Sequence, residues 1–169
     1  MRALLPISLV ICGLTGCGYM VGSAYGPDVR TVEVPIFQNA TYRRNIEYQL
    51  TEAVQKEIEA RTPFRLAKGP GADTRLTGQI VEIRKDVLGE TRYDDPRELQ
   101  LTIAIKVQWE DLRTGKILAQ QEVPVAPDVL PLVGQASFAP EVGQSLATAT
   151  QDAVNRLAAQ IVNMMEVPW

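Results

Sequence analysis

Cys17 is the residue whose neighbours prescribe a covalent reaction. It follows Leu14-Thr15-Gly16 and closes the apolar run from Ala3 to Leu14, with Arg2 ahead of that run. A positive start, a short apolar segment and small residues before a cleavage point are the physical parts of a signal peptide. The run falls short of the roughly 20 apolar residues that a spanning helix needs. Cleavage before Cys17 would leave a thiol and a new amine on one residue, both open to lipid attachment. Cys12 lies inside the apolar run, so the chain beyond Cys17 holds no further thiol. The sequence has no histidine. That removes Ser-His-Asp and Cys-His catalysis, the usual His/Cys zinc sites and the commonest general base.

Leu14-Thr15-Gly16-Cys17 resembles the lipobox of bacterial lipoprotein signals. The resemblance implies removal of residues 1–16, a diacylglycerol on the Cys17 sulfur and an acyl chain on its amine. Each buried methylene contributes about 0.8 kcal/mol, and more than one chain gives stable anchoring. No Asp follows the cysteine; Gly18 does. In the commonest sorting rule this directs the protein to the outer membrane, lipid-anchored on its periplasmic face. Residues 17–30 then form a lipidated start and tether. Residues 31–169 form a single domain, a length that buries most of what the unfolded chain would expose.

The remaining chemistry-bearing residues are few. Lys68-Gly69-Pro70-Gly71-Ala72-Asp73 is glycine-rich but lacks the lysine and hydroxyl that a phosphate loop places after its final glycine. Glu90, Asp94 and Asp95 are paired acids in a charged loop, with no base or metal-ligand cluster to accompany them. No cofactor or metal site is implied. A formal net charge of −3 without a basic run excludes a nucleic-acid footprint.

Hydrophobic periodicity supplies the elements. Val32, Val34 and Ile36 alternate along a first strand, 31–37, where Pro35 favours a sheet edge. Ile46, Leu50, Ala53, Val54 and Ile58 stripe a helix over 43–61, with Asn39-Ala40-Thr41 ahead of it offering caps. Residues 64–67 are a short extended piece. Residues 74–88 read as a strand whose apolar phase switches near Ile80, which predicts a bulge or a strand covered on both faces. Leu99, Leu101, Ile103, Ile105, Val107 and Trp109 alternate without a break, giving a long strand with one buried and one wet face. A hairpin at 111–116, with Gly115 suited to positive φ, leads into a returning strand over 117–125. Residues 126–140 carry three prolines among apolar residues; they either fold back over the domain or form a contact surface. A helix over 141–165 closes the domain. The order β-α-β-β-β-α predicts an α+β two-layer sandwich, a small mixed sheet with both helices packed on one face.

Taken together, Cys17-Gly18-Tyr19, Val32-Glu33-Val34-Pro35-Ile36-Phe37 with Asn39, the helix opening at Arg43-Arg44, the Thr114-Gly115 hairpin and the closing Leu157-Ala158-Ala159-Gln160-Ile161-Val162 helix resemble the lipopolysaccharide-assembly lipoprotein family, LptE. That resemblance implies the same two-layer fold and a partner in place of a reaction. Members plug the lumen of the outer-membrane β-barrel LptD, assist its assembly, and bind lipopolysaccharide bound for the outer leaflet. The ligand is anionic, so its contacts are expected from cations. By position these are Arg92 and Arg97, flanking the loop between two strands, then Arg84 and Lys85. Two other readings remain: an adaptor lipoprotein of another envelope secretion or transport complex, and an envelope-glycan enzyme using Glu90, Asp94 and Asp95.

Overall fold

The computed structural model describes Tyr25 and residues 29–90, 96–120 and 132–166. Cys17, Arg92, Asp94 and Asp95 lie outside these residues, as do 121–131. The elements are β1 (Thr31–Glu33), β2 (Gln38–Asn39), α1 (Ile46–Arg61), β3 (Arg65–Leu66), β4 (Thr74–Glu90), β5 (Pro96–Asp111), β6 (Ile117–Gln120), β7 (Leu132–Phe138) and α2 (Leu146–Met164). They form one seven-stranded mixed sheet with the two helices on one face, so the α+β two-layer fold stands.

The sheet order is β3-β1-β4-β5-β6, with β2 paired to β4 and β7 paired to β5. β1 runs parallel to both β3 and β4, so it is interior. The edge position expected from Pro35 is therefore corrected. Pro35 falls after β1 has ended, in a stretch where no ladder bond is needed. Side chains of α1 satisfy that stretch instead. Gln55 Nε2 donates to the Val34 carbonyl at 3.1 Å. The Thr51 hydroxyl accepts the Phe37 N–H at 3.0 Å and donates to the Glu47 carbonyl at 2.6 Å.

The phase switch in β4 is a bulge. Ile80 pairs with Ile105, but Glu82 pairs with Ala104, so Val81 is the extra residue. Before it, Leu76, Gly78 and Ile80 face the helices; after it, Ile83, Lys85 and Val87 do, because each pairs across to an odd-numbered residue of β5. The odd residues of β5 from Leu99 to Trp109 are all buried against Leu50, Val54 and Ile58 of α1 and Ala153, Leu157 and Ile161 of α2. Each fully buried Leu, Ile or Val contributes about 1.5–3 kcal/mol.

The 126–140 segment holds a strand that its prolines hid. β6 pairs with β5 at Gln108 to Glu110, and β7 continues along the same edge from Ile105 to Leu99. β6 ends at Gln120 and β7 begins at Leu132, on this same edge of β5. Pro131 lies just ahead of β7 and Pro140 just beyond it, so neither interrupts the ladder. Gly134 sets how closely α2 approaches. A Cβ there would lie 2.5 Å from the Ala153 carbonyl oxygen and 2.6 Å from Leu157 Cγ.

Both helices start later than their apolar stripes suggest. Asn45, in the left-handed region at φ 75°, precedes α1 and gives no side-chain cap. Residues Pro140–Val142 form a 3-10 turn ended by Gly143 at φ 84°, and Ser145 then caps α2 by accepting the Thr148 N–H at 3.1 Å. The hairpin after β5 is as expected: Gly115 has φ 67°, and the Asp111 carboxylate accepts the Arg113 and Thr114 N–H groups at 2.8 and 3.1 Å.

Candidate functional site

The sheet face away from the helices is polar. Register sets Arg75 opposite Glu110, Thr77 opposite Gln108 and Gln79 opposite Lys106. Beyond the bulge, Glu82 faces Ala104, Arg84 faces Thr102 and Asp86 faces Gln100. On the other side of β5, Val133, Gln135 and Ser137 complete those rows. No helix among the described residues covers this face.

Its charges are compensated locally. Arg75 Nε meets Glu33 Oε2 at 2.7 Å and its Nη1 lies 3.9 Å from Glu110 Oε1. The Arg75 hydrogen bond holds the Glu33 carboxyl below its ordinary value, and the Gly69 N–H adds to this. Arg84 is bracketed within its own strand, with Nε 2.7 Å from Asp86 Oδ2 and Nη1 3.2 Å from Glu82 Oε1. Hydrogen bonding to Asp86 raises the Arg84 guanidinium pKa. Residues 82, 84 and 86 share one face by the two-residue period of a strand, so this trio is net acidic. Between Arg84 and Gln135, Thr102 is buried, and its hydroxyl has no hydrogen-bond partner among the described residues.

The expected cation set is therefore divided. Arg84 points to the polar face. Lys85, its neighbour, points to the helix side opposite Leu101, and is exposed there because the helices do not reach it. The two cannot grip one ligand from one face. Arg97 lies in β5, one residue past its start, which places it at the turn end of the β4–β5 hairpin. Arg92 falls within 91–95, outside the described residues. Of the enzyme candidates, Glu90 ends β4 and Asp94 and Asp95 are outside the described residues. No group of His, Cys, Asp and Glu suited to a metal ion occurs among the described residues. No helix among them is long and apolar enough to cross a membrane.

The more informative feature is β4 itself. Its outer edge is paired by β1 and β2 only as far as Ile80, where the Ala40 N–H reaches the Ile80 carbonyl at 3.0 Å. From Glu82 to Glu90 that edge has no partner among the described residues. Val87 and Leu88 are 46% and 51% exposed there. Lys85, set into the apolar row, is the kind of charge that deters indiscriminate edge pairing. Sequence reading missed this edge because pairing is not a property of the strand that carries it.

A polar sheet face, an open strand edge and a well-filled core on the opposite face define a small two-layer α+β domain. A comparison with family models matches residues 29–165 to LptE, described as lipopolysaccharide-assembly. Solved structures share the fold at low identity. A hypothetical protein of Chlamydia trachomatis is 12% identical, with TM-score 0.54 over 80% of this chain and 94% of that one. The rare lipoprotein B of Shewanella oneidensis is 12% identical, with TM-score 0.51 over 80% and 93%. The PelC dodecamer of Paraburkholderia phytofirmans is 13% identical, with TM-score 0.50 over 88% and 92%. A comparison with curated proteins finds no significant match. The chain belongs to the LptE lipopolysaccharide-assembly family.

Proposed function

We propose that this chain is an outer-membrane lipoprotein, anchored on the periplasmic face through acyl chains on Cys17. Residues 1–16 act as its signal peptide, 17–30 as its lipidated tether and 31–169 as its working domain. It partners an LptD-type β-barrel, sits in the barrel lumen as a plug, assists barrel assembly and helps pass lipopolysaccharide to the outer leaflet. Family membership across 29–165 carries this reading. The open stretch of β4 and the polar sheet face support it, since both are surfaces that a large partner can cover. Lipopolysaccharide contacts come from the hairpin end, where Arg92 and Arg97 lie, with Arg84 and Lys85 on opposite sides of the adjoining strand.

The test is a detergent pull-down of the lipidated protein from its own envelope. Stoichiometric recovery of an outer-membrane β-barrel is the expected result. Recovery of a different secretion or transport complex overturns the barrel reading and favours an adaptor role. Labelled palmitate checks the anchor separately: it enters the parent chain and not Cys17→Ala.

A further inference from the structure

Backbone groups at the other edges of this sheet are capped or few. α2 reaches over β7: Gln160 Nε2 donates to the Val133 carbonyl at 3.3 Å and Arg156 Nη1 to the Gln135 carbonyl at 2.9 Å. α1 does the same for the stretch between β1 and β2, through Gln55 and Thr51. β3 and β6 end the sheet with two and four residues, a length that templates little. Along 82–90, β4 has no such cap or covering strand among the described residues. Its ladder to β5 uses one edge, while a strand alternates its N–H and C=O groups between both. About half of the main-chain groups here therefore point outward with no strand to bond.

The side chains along this edge select what can pair with it. On the polar face Arg84 is bracketed by Glu82 and Asp86, so the cation of that row is already engaged within the strand. On the helix side the row is Ile83, Lys85 and Val87. Ile83 packs against the core, Val87 is about half exposed, and Lys85 is exposed and makes no ion pair with a described residue. A strand laid alongside sets its own residues directly opposite these, where apolar pairs and opposite charges are stabilising. The complementary row is therefore apolar, acidic, apolar at alternate positions. That pattern is symmetric, so it fits a parallel and an antiparallel strand alike.

We propose that residues 82–88 of β4 take up an extended segment of the barrel partner as an added strand, with an acid opposite Lys85 and apolar residues opposite Ile83 and Val87. The proposal rests on the barrel reading for the identity of the partner. A closed barrel has no free strand edge. The segment therefore comes from outside its wall, as a loop or terminal stretch reaching into the lumen where this domain sits. It continues the edge that β2 leaves at Ile80. Main-chain bonds supply the affinity, and the alternate side chains choose the segment. A second copy of this chain is a poor match for the same edge. In the antiparallel register that sets Ile83 opposite Val87, Lys85 meets Lys85; moved two residues either way, acid meets acid. Lys85 thus gains a partner of its own, on the face away from Arg84.

Hydrogen exchange read by mass spectrometry tests this on the unaltered chain. The lipidated protein is purified alone and together with the barrel it recovers from its own envelope, and peptides covering 82–90 are compared. About half of the amides in that stretch are expected to slow by more than about tenfold in the complex. Unchanged exchange there in a barrel-bound sample overturns the proposal and leaves the barrel reading standing. A parent chain that recovers no barrel overturns both. Charge reversal tests the pattern separately. Lys85→Glu is expected to lower barrel recovery by about tenfold, while Lys85→Arg stays at the parent's level. Lys116→Glu reverses an exposed charge at the other end of β5 and also stays at the parent's level. Equal recovery by the parent and Lys85→Glu overturns the proposal, as does an equal loss in Lys85→Glu and Lys116→Glu.

Discussion

From Thr74 to Ile80, β4 pairs with β5 on one edge, meets β1 and β2 on the other at Thr74–Arg75 and Gln79–Ile80, and is roofed by helices; from Glu82 to Glu90, it is paired on one edge among the described residues and largely unroofed. Both stretches belong to one strand and both pair with β5, so composition alone does not separate them. The first stretch buries Leu76 and Ile80 at 0% exposure, while the second leaves Val87 and Leu88 about half exposed. Their polar contacts differ in the same way. In the closed half, bonds tie separate elements: Arg75 joins β4 to Glu33 of β1, and Asp73 holds Arg30 and Thr31. In the open half, the ion pairs of Arg84 with described residues stay within its own strand. Buried contacts are therefore concentrated at one end of this strand, and the other end keeps an unpaired edge among the described residues.

Paired truncations give the largest expected contrast. Leu76→Ala costs about 2–5 kcal/mol, the usual range for emptying a filled core site. Val87→Ala, at the equivalent row beyond the bulge, stays within about 0.5 kcal/mol. Urea denaturation of both variants measures the difference, and similar losses would erase the distinction between the halves. Next comes Gly134→Ala. Its Cβ meets a backbone carbonyl of α2, which cannot rotate away, so a loss of about 1–3 kcal/mol is expected in the same assay. A neutral result would mean that α2 can slide on β7.

The smallest effect is a pH dependence at the start of β1. The Asp73 carboxylate accepts the Arg30 N–H, then the Thr31 hydroxyl and N–H, and these hold its pKa below the ordinary 3.8. A depressed folded value means the stabilisation is complete above 3.8 and is lost as pH falls through the lower folded value. The stability gap between the parent and Asp73→Asn therefore narrows in acid below about pH 3.8. A gap that stays constant through that window would show that Asp73 titrates alike in the folded and unfolded chains, against the contacts described.

Much of this architecture follows from local pattern. The unbroken alternation from Leu99 to Trp109 defines a central strand, because a two-residue period with one apolar face has few other solutions. The switch near Ile80 is visible for the same reason, and Gly115 marks its turn. β7 was not legible. Its apolar residues sit among prolines, and only the ladder to β5 shows that the prolines fall outside the paired part. Arg84 and Lys85 are candidates for ligand contact by their position near the loop between two strands. Strand geometry sends them to opposite faces, and Asp86 and Glu82 take up the charge of Arg84.

The sequence by itself determined which residue types are present for chemistry. Cys17 behind Leu14-Thr15-Gly16 is a local motif read by residue type, and the lack of histidine is a matter of composition. It also determined which face of each long element is apolar, since periodicity is a one-dimensional property. Only the tertiary structure decided which strand edge stays open, because an edge is closed by residues far away in the chain: β1 and β2 reach β4 as far as Ile80 and no further. It also decided the contacts of Asn39, whose amide nitrogen donates to the Arg43 carbonyl and to Glu47 Oε2 and so depends on where these groups come to lie once α1 has packed.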